Sequence, residues 1–442
     1  MSRLIVFFLL LHALWLPAGA QLVSHGPWIG GVTPYTATVV ARVNESRIST
    51  LEISQERTFL RTTRIPSQLK PADWPEDMMR YRLLRLQPST TYYYRIVAGS
   101  TADYRNTGYF TTPPDTRGGP VRFKFAFSSC ARSGSDHAVF AEIEWAKPLF
   151  FIHTGDFHYE NLTTNDPDAY HEAYERNLYA STQATLYSRV PLVYTWDDHD
   201  FGANNSDRTS PSIEAAHLAY RQFVPHFPLQ ADEDEAWPED DTSPRPISQS
   251  FLVGNVRFVV LDLRTARDPA DQVDDANKTM LGTWQKAWLK RELLAAQAAH
   301  QFTFVVSSVS WIGDEREGAD DWGGYATERR ELSDWMLANN VTSLCMLNGD
   351  SHSLAADDGS NNKFASDGYG PGFPVLSASP LDQNGGIANG TWSEEPVSPE
   401  PLEGFFGLVE VETSSSQAAV KFTGYNQNSR EKLRLSFTTD LP

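Results

Sequence analysis

Four apolar segments of this chain each lead directly into side chains that bind metal ions. The segments cover residues 123–127, 149–153, 191–195 and 343–347, and their length and apolar content predict buried strands. They are followed, in the same order, by Ser128-Ser129-Cys130, by Gly155-Asp156-Phe157-His158-Tyr159, by Trp196-Asp197-Asp198-His199-Asp200 and by Gly349-Asp350-Ser351-His352. Because open α/β sheets bind ligands beyond the carboxyl ends of their strands, we expect these side chains to meet in one cleft. The sequence therefore predicts an α/β fold built around a metal site.

Two of these segments end in the same Gly-Asp pair, at residues 155–156 and 349–350. Glycine permits a sharp exit from a strand, and the aspartate after it offers two oxygens that can bridge a pair of cations. A single aspartate in such a place could equally cap a helix or a turn. The repetition, with His352 two positions after the second aspartate, favours metal ligation.

From Val121 onward, apolar strands alternate with helical segments, which is the pattern of a layered α/β or α+β domain. Further strands are predicted at 257–263 and 302–307, and helices at 168–179, 213–223, 283–298 and 328–337. This part of the chain carries all the proposed metal ligands. We therefore predict that residues 121–442 form the catalytic domain.

Residues 21–112 are predicted to form a small all-β sandwich. Strands with period-2 alternation place Ala37, Val39 and Ala41 on one face. Residues 86–96 resemble the L-x-P-x-T-x-Y-x-Y signature of fibronectin type III domains, in which a tyrosine corner closes the sandwich. The prolines and glycines of residues 113–120 predict a linker before the catalytic domain.

The N-terminus predicts export from the cell. An apolar run of residues 4–16 precedes Ala18-Gly19-Ala20, which is an A-x-A cleavage site, so residues 1–20 read as a signal peptide. No later stretch is long and apolar enough to predict a membrane span. Six N-x-[ST] sequons, which become usable on export, lie at Asn44, Asn161, Asn204, Asn277, Asn340 and Asn389. We therefore expect a secreted glycoprotein.

The two cysteines allow two interpretations. Cys130 follows a strand as a metal ligand would, and Cys345 lies inside an apolar strand, where a buried free thiol is common. The alternative is a disulfide between them.

The charge balance limits the partners. The chain has 37 Lys+Arg against 56 Asp+Glu, a formal net charge of −19, which repels phosphate backbones and argues against nucleic acid as a partner. A small anionic substrate would bind only where a local positive charge outweighs this field. Metal ions at the predicted site would supply that charge.

The motifs resemble those of the PhoD family of secreted alkaline phosphatases, which is similar to the calcineurin-like metallophosphoesterases. The most specific pieces are Trp-Asp-Asp-His-Asp at 196–200, Gly-Asp-x-x-Tyr at 155–159, Gly-Asp-x-His at 349–352 and Asp-Trp-Gly-Gly-Tyr at 321–325. The resemblance covers nearly the whole chain after residue 20. It implies a four-layer αββα sandwich preceded by a fibronectin- or Ig-like domain.

The resemblance also implies ligands for two kinds of metal. It assigns ferric iron to Cys130, Asp156, Tyr159 and His352, and calcium to Asp156, Asn204 and Asp350. Thiolate, phenolate and imidazole suit a transition metal, whereas carboxylate and amide oxygens suit a hard cation. Manganese, zinc and magnesium stay open as alternatives, and Asn205 is the alternative amide ligand.

These features predict an alkaline phosphatase that acts on small phosphoesters. Two cations about 3.5 to 4 Å apart, bridged by Asp156, would activate a hydroxide for in-line attack on phosphorus. His199 is the candidate to protonate the leaving alkoxide or to contact the phosphate, with Asp198 or Asp197 fixing its tautomer. The predicted catalytic residues are therefore His199, Asp198 and Asp156.

Other functions stay open at this point. A purple acid phosphatase shares the fibronectin-like domain and the Gly-Asp-x-x-Tyr site, but that family has Gly-Asn-His and Gly-His-x-His where this chain has Trp-Asp-Asp-His and Gly-Asp-Ser-His. A phosphodiesterase or phospholipase would use similar metal chemistry. A non-catalytic secreted binding protein would retain only the fold.

Overall fold

A computed structural model of the chain describes residues 22–44, 49–68, 74–234, 237, 243–368 and 372–442, and the expected signal peptide lies outside them. The strands are β1 Val23–Gly30, β2 Thr36–Val43, β3 Ser49–Ser54, β4 Thr63–Pro66, β5 Met78–Leu84, β6 Thr91–Ala98, β7 Thr101–Ala102, β8 Gly108–Thr111, β9 Arg122–Ser128, β10 Phe151–His153, β11 Leu192–Tyr194, β12 Gln249–Val253, β13 Val256–Val260, β14 Phe302–Ser307, β15 Leu344–Asn348, β16 Leu354–Asp357, β17 Val375–Ala378, β18 Glu394–Val397, β19 Phe405–Thr413, β20 Gln417–Asn426 and β21 Glu431–Asp440. The helices are α1 Ala138–Trp145, α2 Pro167–Tyr179, α3 Ser181–Arg189, α4 Asp198–Phe201, α5 Ile213–Phe223, α6 Gln230–Glu233, α7 Gly282–Ala298 and α8 Ala326–Ala338.

Two large sheets form the centre of the fold. The first has the strand order β21-β20-β19-β9-β10-β11-β1-β2-β5, and the second has the order β12-β13-β14-β15-β17-β16-β18. Their facing sides share one core of phenylalanine and aliphatic side chains, in which the Phe125 ring meets those of Phe258 and Phe304 edge to face at 5.3 and 5.1 Å. Aromatic pairs at this separation add to the stability gained by burying their area.

Helices cover the outer face of each large sheet. Side chains of α1, α2, α3 and α5 pack in a second core against the first sheet. Side chains of α7 and α8 pack in a third core against the second sheet. The layers are therefore helix, sheet, sheet and helix, and the predicted mixed α/β sandwich is confirmed.

The central strands of both large sheets are parallel and buried. β10 pairs in parallel with β9 and with β11, and β15 pairs in parallel with β14. All three residues of β10 and of β11 are buried, as both faces of the sheet are covered. Because parallel strands end at one edge of a sheet, the loops after β9, β10 and β11 meet there.

The N-terminal strands extend the first sheet. β1 pairs in parallel with β11 through Gly30 and Leu192, and β2 and β5 follow it. A Cβ on Gly30 would lie 2.1 Å from the Pro225 carbonyl oxygen, so this close contact needs glycine. The two regions that the sequence predicts as separate domains therefore share one continuous sheet.

A third sheet completes the sandwich-like N-terminal region. It contains β4, β3, β6 and β7, with β8 paired to β6. Ala37, Val39 and Ala41 face the core between the third sheet and the N-terminal strands of the first sheet, as their alternation predicts. Val40 faces the core under the helices. In the predicted tyrosine corner, the Gln87 backbone N–H donates to the Tyr92 hydroxyl oxygen at 2.8 Å.

Most predicted elements occur with shifts of one to three residues at their ends. β13 ends at Val260, although the apolar run continues to Leu263. The Asp262 carboxylate explains this end, since it accepts the backbone N–H groups of Arg264 and Thr265 in place of a strand partner. Among the described residues, no helix has the length and apolar character needed to cross a membrane.

Candidate metal centre

Asp156 lies at the centre of a cluster of metal-binding side chains. Three groups bring their ligand atoms within 4.8 Å of one another: Cys130 with Asp156 and His352, Asp156 with Asp198 and His199, and Asp156 with Asp197 and Asp350. Asp156 belongs to all three groups. Its carboxylate is therefore placed to bridge cations held on different sides of it.

A thiol, a phenol and an imidazole meet on one side of Asp156. Cys130 Sγ lies 3.5 Å from Asp156 Oδ2, and the Tyr159 hydroxyl donates to the same oxygen at 2.7 Å. The Tyr159 oxygen also lies 3.2 Å from His352 Nε2. His352 Nδ1–H donates to the Asn384 carbonyl at 2.5 Å, which leaves a lone pair on Nε2 facing the cluster.

This side of the cluster favours a cation on electrostatic grounds. Burial raises the pKa of the Cys130 thiol well above its ordinary value, and the charges of Asp156 and Asp350 add to the effect. Burial and the Asp156 charge likewise raise the pKa of the Tyr159 phenol. Thiolate and phenolate would therefore form here only with a cation beside them, as metal ligation requires.

Carboxylates crowd the other side of Asp156. Burial, followed by the charges of neighbouring aspartates, raises the pKa of Asp156 and of Asp350, and burial raises the pKa of Asp197 to about 7. Asp197 Oδ2 and Asp198 Oδ1 are buried and accept no hydrogen bond from the described part of the chain. Buried carboxylate oxygens without a partner are costly unless a cation binds them, so these residues fit a hard cation.

The backbone of the cluster is held in a sparsely populated conformation. Cys130, Asp156, Asp350 and His352 have φ angles of 62, 56, 60 and 51°, in the left-handed region. Each such residue other than glycine costs on the order of 1–3 kcal/mol, which the surrounding packing must offset. Left-handed residues after three different strands aim their side chains at one point, a feature that apolar patterning does not reveal.

His199 is oriented by Asn161, which the sequence analysis identified only as a sequon. Asn161 Nδ2 donates to the Tyr159 carbonyl at 3.1 Å, so its Oδ1 accepts the Nδ1–H of His199 at 2.6 Å. The His199 ring also stacks on Tyr159, with centroids 4.0 Å apart. Asp198 lies 4.0 Å from Nε2, and Asp197 bonds elsewhere, so the expectation that either one fixes the tautomer is wrong. The bond to Asn161 leaves Nε2 as the atom that gains and loses a proton.

Arg264 is the second residue that the sequence analysis missed. Its side chain is fully buried, and its Nη2 lies 2.6 Å from Asp197, 2.7 Å from Asp320 and 3.8 Å from Asp198. These contacts offset part of the negative charge of the carboxylates. No motif marks this arginine in the sequence, because its partners are far away along the chain.

The sequence of the chain also matches a known protein family. Residues 125–422 match the PhoD-like phosphatase family. The chain belongs to this family. That assignment confirms the resemblance seen in the motifs, and the matched segment contains all the residues of the metal centre.

Three known proteins are similar to this PhoD-like chain in sequence or in structure. Alkaline phosphatase D of Bacillus subtilis (strain 168) is 26% identical over 314 residues, which cover 62% of this chain and 53% of that protein. The chain thus spans about half the length of that relative. A structure of PhoD has a TM-score of 0.75 at 18% identity and covers 96% of this chain and 91% of its own. Purple acid phosphatase PPD1 from yellow lupin (Lupinus luteus) seeds has a TM-score of 0.57 at 14% identity, covering 94% and 74%. Both structures share the fold of this PhoD-like chain.

The remaining predicted ligand, Asn204, lies on the surface. Its side chain is exposed, and its Nδ2 donates to Asn205 Oδ1 at 2.9 Å. The Asn205 backbone N–H donates to Asp198 Oδ2 at 2.5 Å, which ties this loop to the carboxylates. A calcium ligand at Asn204 stays a prediction.

Both cysteines of the PhoD-like chain are buried and free, so the alternative of a disulfide between them is wrong. Cys130 lies in the candidate metal centre, and Cys345 packs in the core between the large sheets. His153 also lies in a core, as expected, against the Phe157 ring at 5.2 Å. Trp322 is buried against Trp311 at 4.9 Å and serves packing.

Proposed function

We propose that the chain is a metal-dependent phosphoric ester hydrolase of the alkaline phosphatase D type. The observation that carries the proposal is the position of Asp156 within three groups of ligand atoms. One group has the donors of a transition-metal site, and the other two contain further carboxylates. Such a centre offers the concentrated positive charge that a phosphoester needs in a chain of net charge −19.

The proposed metals follow the donor types. Cys130, Asp156, Tyr159 and His352 would hold ferric iron, and Asp156, Asn204 and Asp350 would hold calcium. Bound cations would supply Lewis-acid activation of water and would neutralise the charge that develops on the phosphoryl oxygens. Iron bound by thiolate and phenolate should give a visible charge-transfer band that disappears in Cys130→Ser.

The residues of the chain would orient the substrate and move the proton. His199 Nε2 would contact the phosphate or, when it carries a proton, donate that proton to the leaving alkoxide, because Nδ1–H is already bonded to Asn161. Burial lowers the pKa of His199, and the charge of Asp198 opposes this effect. The stack against Tyr159 and the bond to Asn161 would fix the ring in one orientation. Asp198, 4.0 Å from Nε2, would stabilise the protonated form by its charge.

Phosphate release from p-nitrophenyl phosphate, with a diester as a second substrate, tests the proposal. A strong chelator should abolish turnover, and Asp156→Asn should abolish it without unfolding the chain. Asp440→Asn is the matched control, since it changes the same type of side chain at the exposed end of β21. Full activity of the chelated protein, or of Asp156→Asn, would contradict the proposed role of the centre.

The purple acid phosphatases provide the main rival, because they share the fold. The carboxylates at Asp198 and Asp350 favour the alkaline type, since the motifs of that rival place asparagine or histidine there. A pH–rate profile with its maximum in the alkaline range supports our proposal, and a maximum in the acid range supports the rival. Absence of metal-dependent turnover on both substrates would favour a non-catalytic binding protein.

We also propose that the protein is exported and glycosylated. All six sequon asparagines belong to the described residues, and all six are exposed. Glycans at Asn161 and Asn204 would conflict with the roles proposed for those side chains, so we expect glycans at the other four sequons. Expression in a secreting host should release a protein that begins at Gln21. Retention of the first twenty residues on a protein kept inside the cell would contradict this proposal.

A further inference from the structure

A positively charged groove lies between the small N-terminal sheet and the first large sheet. Its volume is about 1080 Å³, and it is lined by twenty-one residues. One of them is acidic, Glu144, and six are basic: Arg57, Arg95, Arg105, Lys124, Lys147 and Arg189. The whole chain has 37 Lys+Arg against 56 Asp+Glu, so the groove reverses the charge balance of the molecule.

This groove is separate from the metal centre. Its lining includes Lys124 near the start of β9, Leu149 before β10 and Pro191 before β11. Cys130 and the other proposed ligands that follow these parallel strands lie beyond their C-terminal ends, at the opposite edge of the sheet from the groove. At about 3.3 Å per residue, the length of β9 places the two regions roughly 20 Å apart.

Two of the lining cations are held in fixed positions. Arg95 bonds Glu52 at 2.6 and 2.8 Å and lies between the rings of Phe59 and Tyr104, 4.1 and 4.6 Å from their centroids. Arg189 bonds Glu144 at 3.0 Å. Because each of these arginines is paired with a glutamate, the two pairs fix the walls of the groove but add little net positive charge to it.

The other four cations leave their charge available to a ligand. Arg57, Arg105, Lys124 and Lys147 form no ion pair with the described residues. Arg57, Arg105 and Lys147 are exposed, and Lys124 is half-buried. They stand on both walls, because Arg57 and Arg105 come from the N-terminal region and the two lysines come from the catalytic region. An anion in the groove would therefore contact both parts of the chain.

Rings and hydroxyl groups line the floor between these cations. On adjacent strands, Tyr93 pairs with Tyr109 and Thr91 pairs with Thr111, and all four line the groove. Tyr104 at the rim is 73% exposed. Tyr93 and Tyr109 are half-buried, and the accessible parts of tyrosine rings pack against the C–H faces of sugar rings. The Tyr109 hydroxyl donates to Glu144 and the hydroxyls of Thr91 and Thr111 bond each other, so their remaining lone pairs would accept from sugar hydroxyls.

We propose that this groove binds an anionic oligosaccharide. Its carboxylate or sulfate groups would pair with the four available cations, and its rings would pack on the tyrosines. A nucleic acid fits less well, because its phosphates, one every 3.4 Å along a strand, would also meet the repulsive field of a chain with a net charge of −19. The site would hold the protein on an acidic polysaccharide while the metal centre stays open to solvent.

Isothermal titration calorimetry on the full chain tests the proposal. The probes are a hexamer of galacturonate, a heparin hexasaccharide, uncharged cellohexaose and a short single-stranded DNA. We expect one or both anionic hexamers to bind, more weakly as ionic strength rises, and cellohexaose not to bind. The preference between the two anionic hexamers identifies carboxylate or sulfate as the recognised group.

The double variant Arg105→Gln/Lys147→Gln should weaken the binding of the preferred hexamer by about tenfold. The matched control Arg122→Gln/Lys421→Gln removes one exposed and one half-buried cation that lie outside the groove, and it should change the affinity by less than about twofold. Phosphate release should be unchanged in both, which separates this test from that of the proposed function. Equal loss in both variants, tighter binding of DNA, equal binding of cellohexaose, or no binding of either anionic hexamer would overturn the proposal.

Discussion

Replacing Arg264 by methionine should destabilise the protein strongly, because the arginine neutralises carboxylates in a region without solvent. Its side chain is 0% exposed and that of Asp197 is 1% exposed. Arg264 donates to Asp197 from Nε at 2.7 Å and to Asp320 from Nη1 and Nη2 at 3.1 and 2.7 Å. Methionine keeps much of the length of the side chain and removes every one of these bonds.

The size of the loss follows from which carboxylate is left alone. Asp320 keeps a partner, since Arg267 Nη2 lies 2.6 Å from it. Asp197 keeps the hydrogen bond from the Ser308 hydroxyl, at 2.8 Å, but no ion pair with the described residues. Breaking a buried ion pair by removing one partner costs about 3–5 kcal/mol. We therefore expect Arg264→Met to lower the free energy of unfolding by that amount.

Urea unfolding measures this loss against a matched control. Arg267→Met also removes a fully buried arginine that binds Asp320, but Asp320 then keeps Arg264, so we expect a smaller loss of about 1–3 kcal/mol. Adding Asp197→Asn to Arg264→Met removes the unpaired charge and should recover about 1 kcal/mol or more. A loss below about 1 kcal/mol for Arg264→Met, or one no larger than that of the control, would refute this reasoning.

Three further predictions concern the proposed active site and His226. Asn161→Ala should lower kcat by about tenfold with little change in KM, because the variant no longer holds the His199 ring in place. Asn161→Asp keeps an acceptor for His199 Nδ1–H and should lower kcat less. Equal kcat in the unchanged protein and both variants would exclude the orienting role. Glycopeptide mass spectrometry of the secreted, active protein should find Asn161 without a glycan, because its side chain bonds within the active site, whereas an active protein with full occupancy there would contradict the geometry. Burial lowers the pKa of His226 to about 3 from 6.5, so its contribution to stability is complete above pH 6.5 and is lost as the pH falls from 6.5 towards 3. His226→Gln should therefore reduce the slope of unfolding free energy against pH in that range by about 1.4 kcal/mol per pH unit, and an unchanged slope would show that His226 is protonated in the folded state.

The sequence determined most elements of the fold and the types of donor side chain in the candidate metal centre. The apolar run at 302–307 and the helical periodicity at 213–223 are patterns among neighbouring residues. Because burial of those same residues stabilises the strand and the helix, the segments occur as β14 and α5 at the predicted bounds. The donors after the parallel strands were also visible, because a strand that ends in Gly-Asp leaves its aspartate at the edge of the sheet. Cys130, Asp156 and His352 do lie together there.

Only the tertiary structure decided which groups orient and neutralise those donors. Asn161 lies 38 residues from His199 along the chain, and Arg264 lies 67 residues from Asp197. Contacts at such separations leave no periodicity or spacing in the sequence, because they depend on how whole strands and loops pack. The same reason applies to the continuous sheet through β1 and β11, where one close contact at Gly30 joins two regions that the sequence divides at a linker.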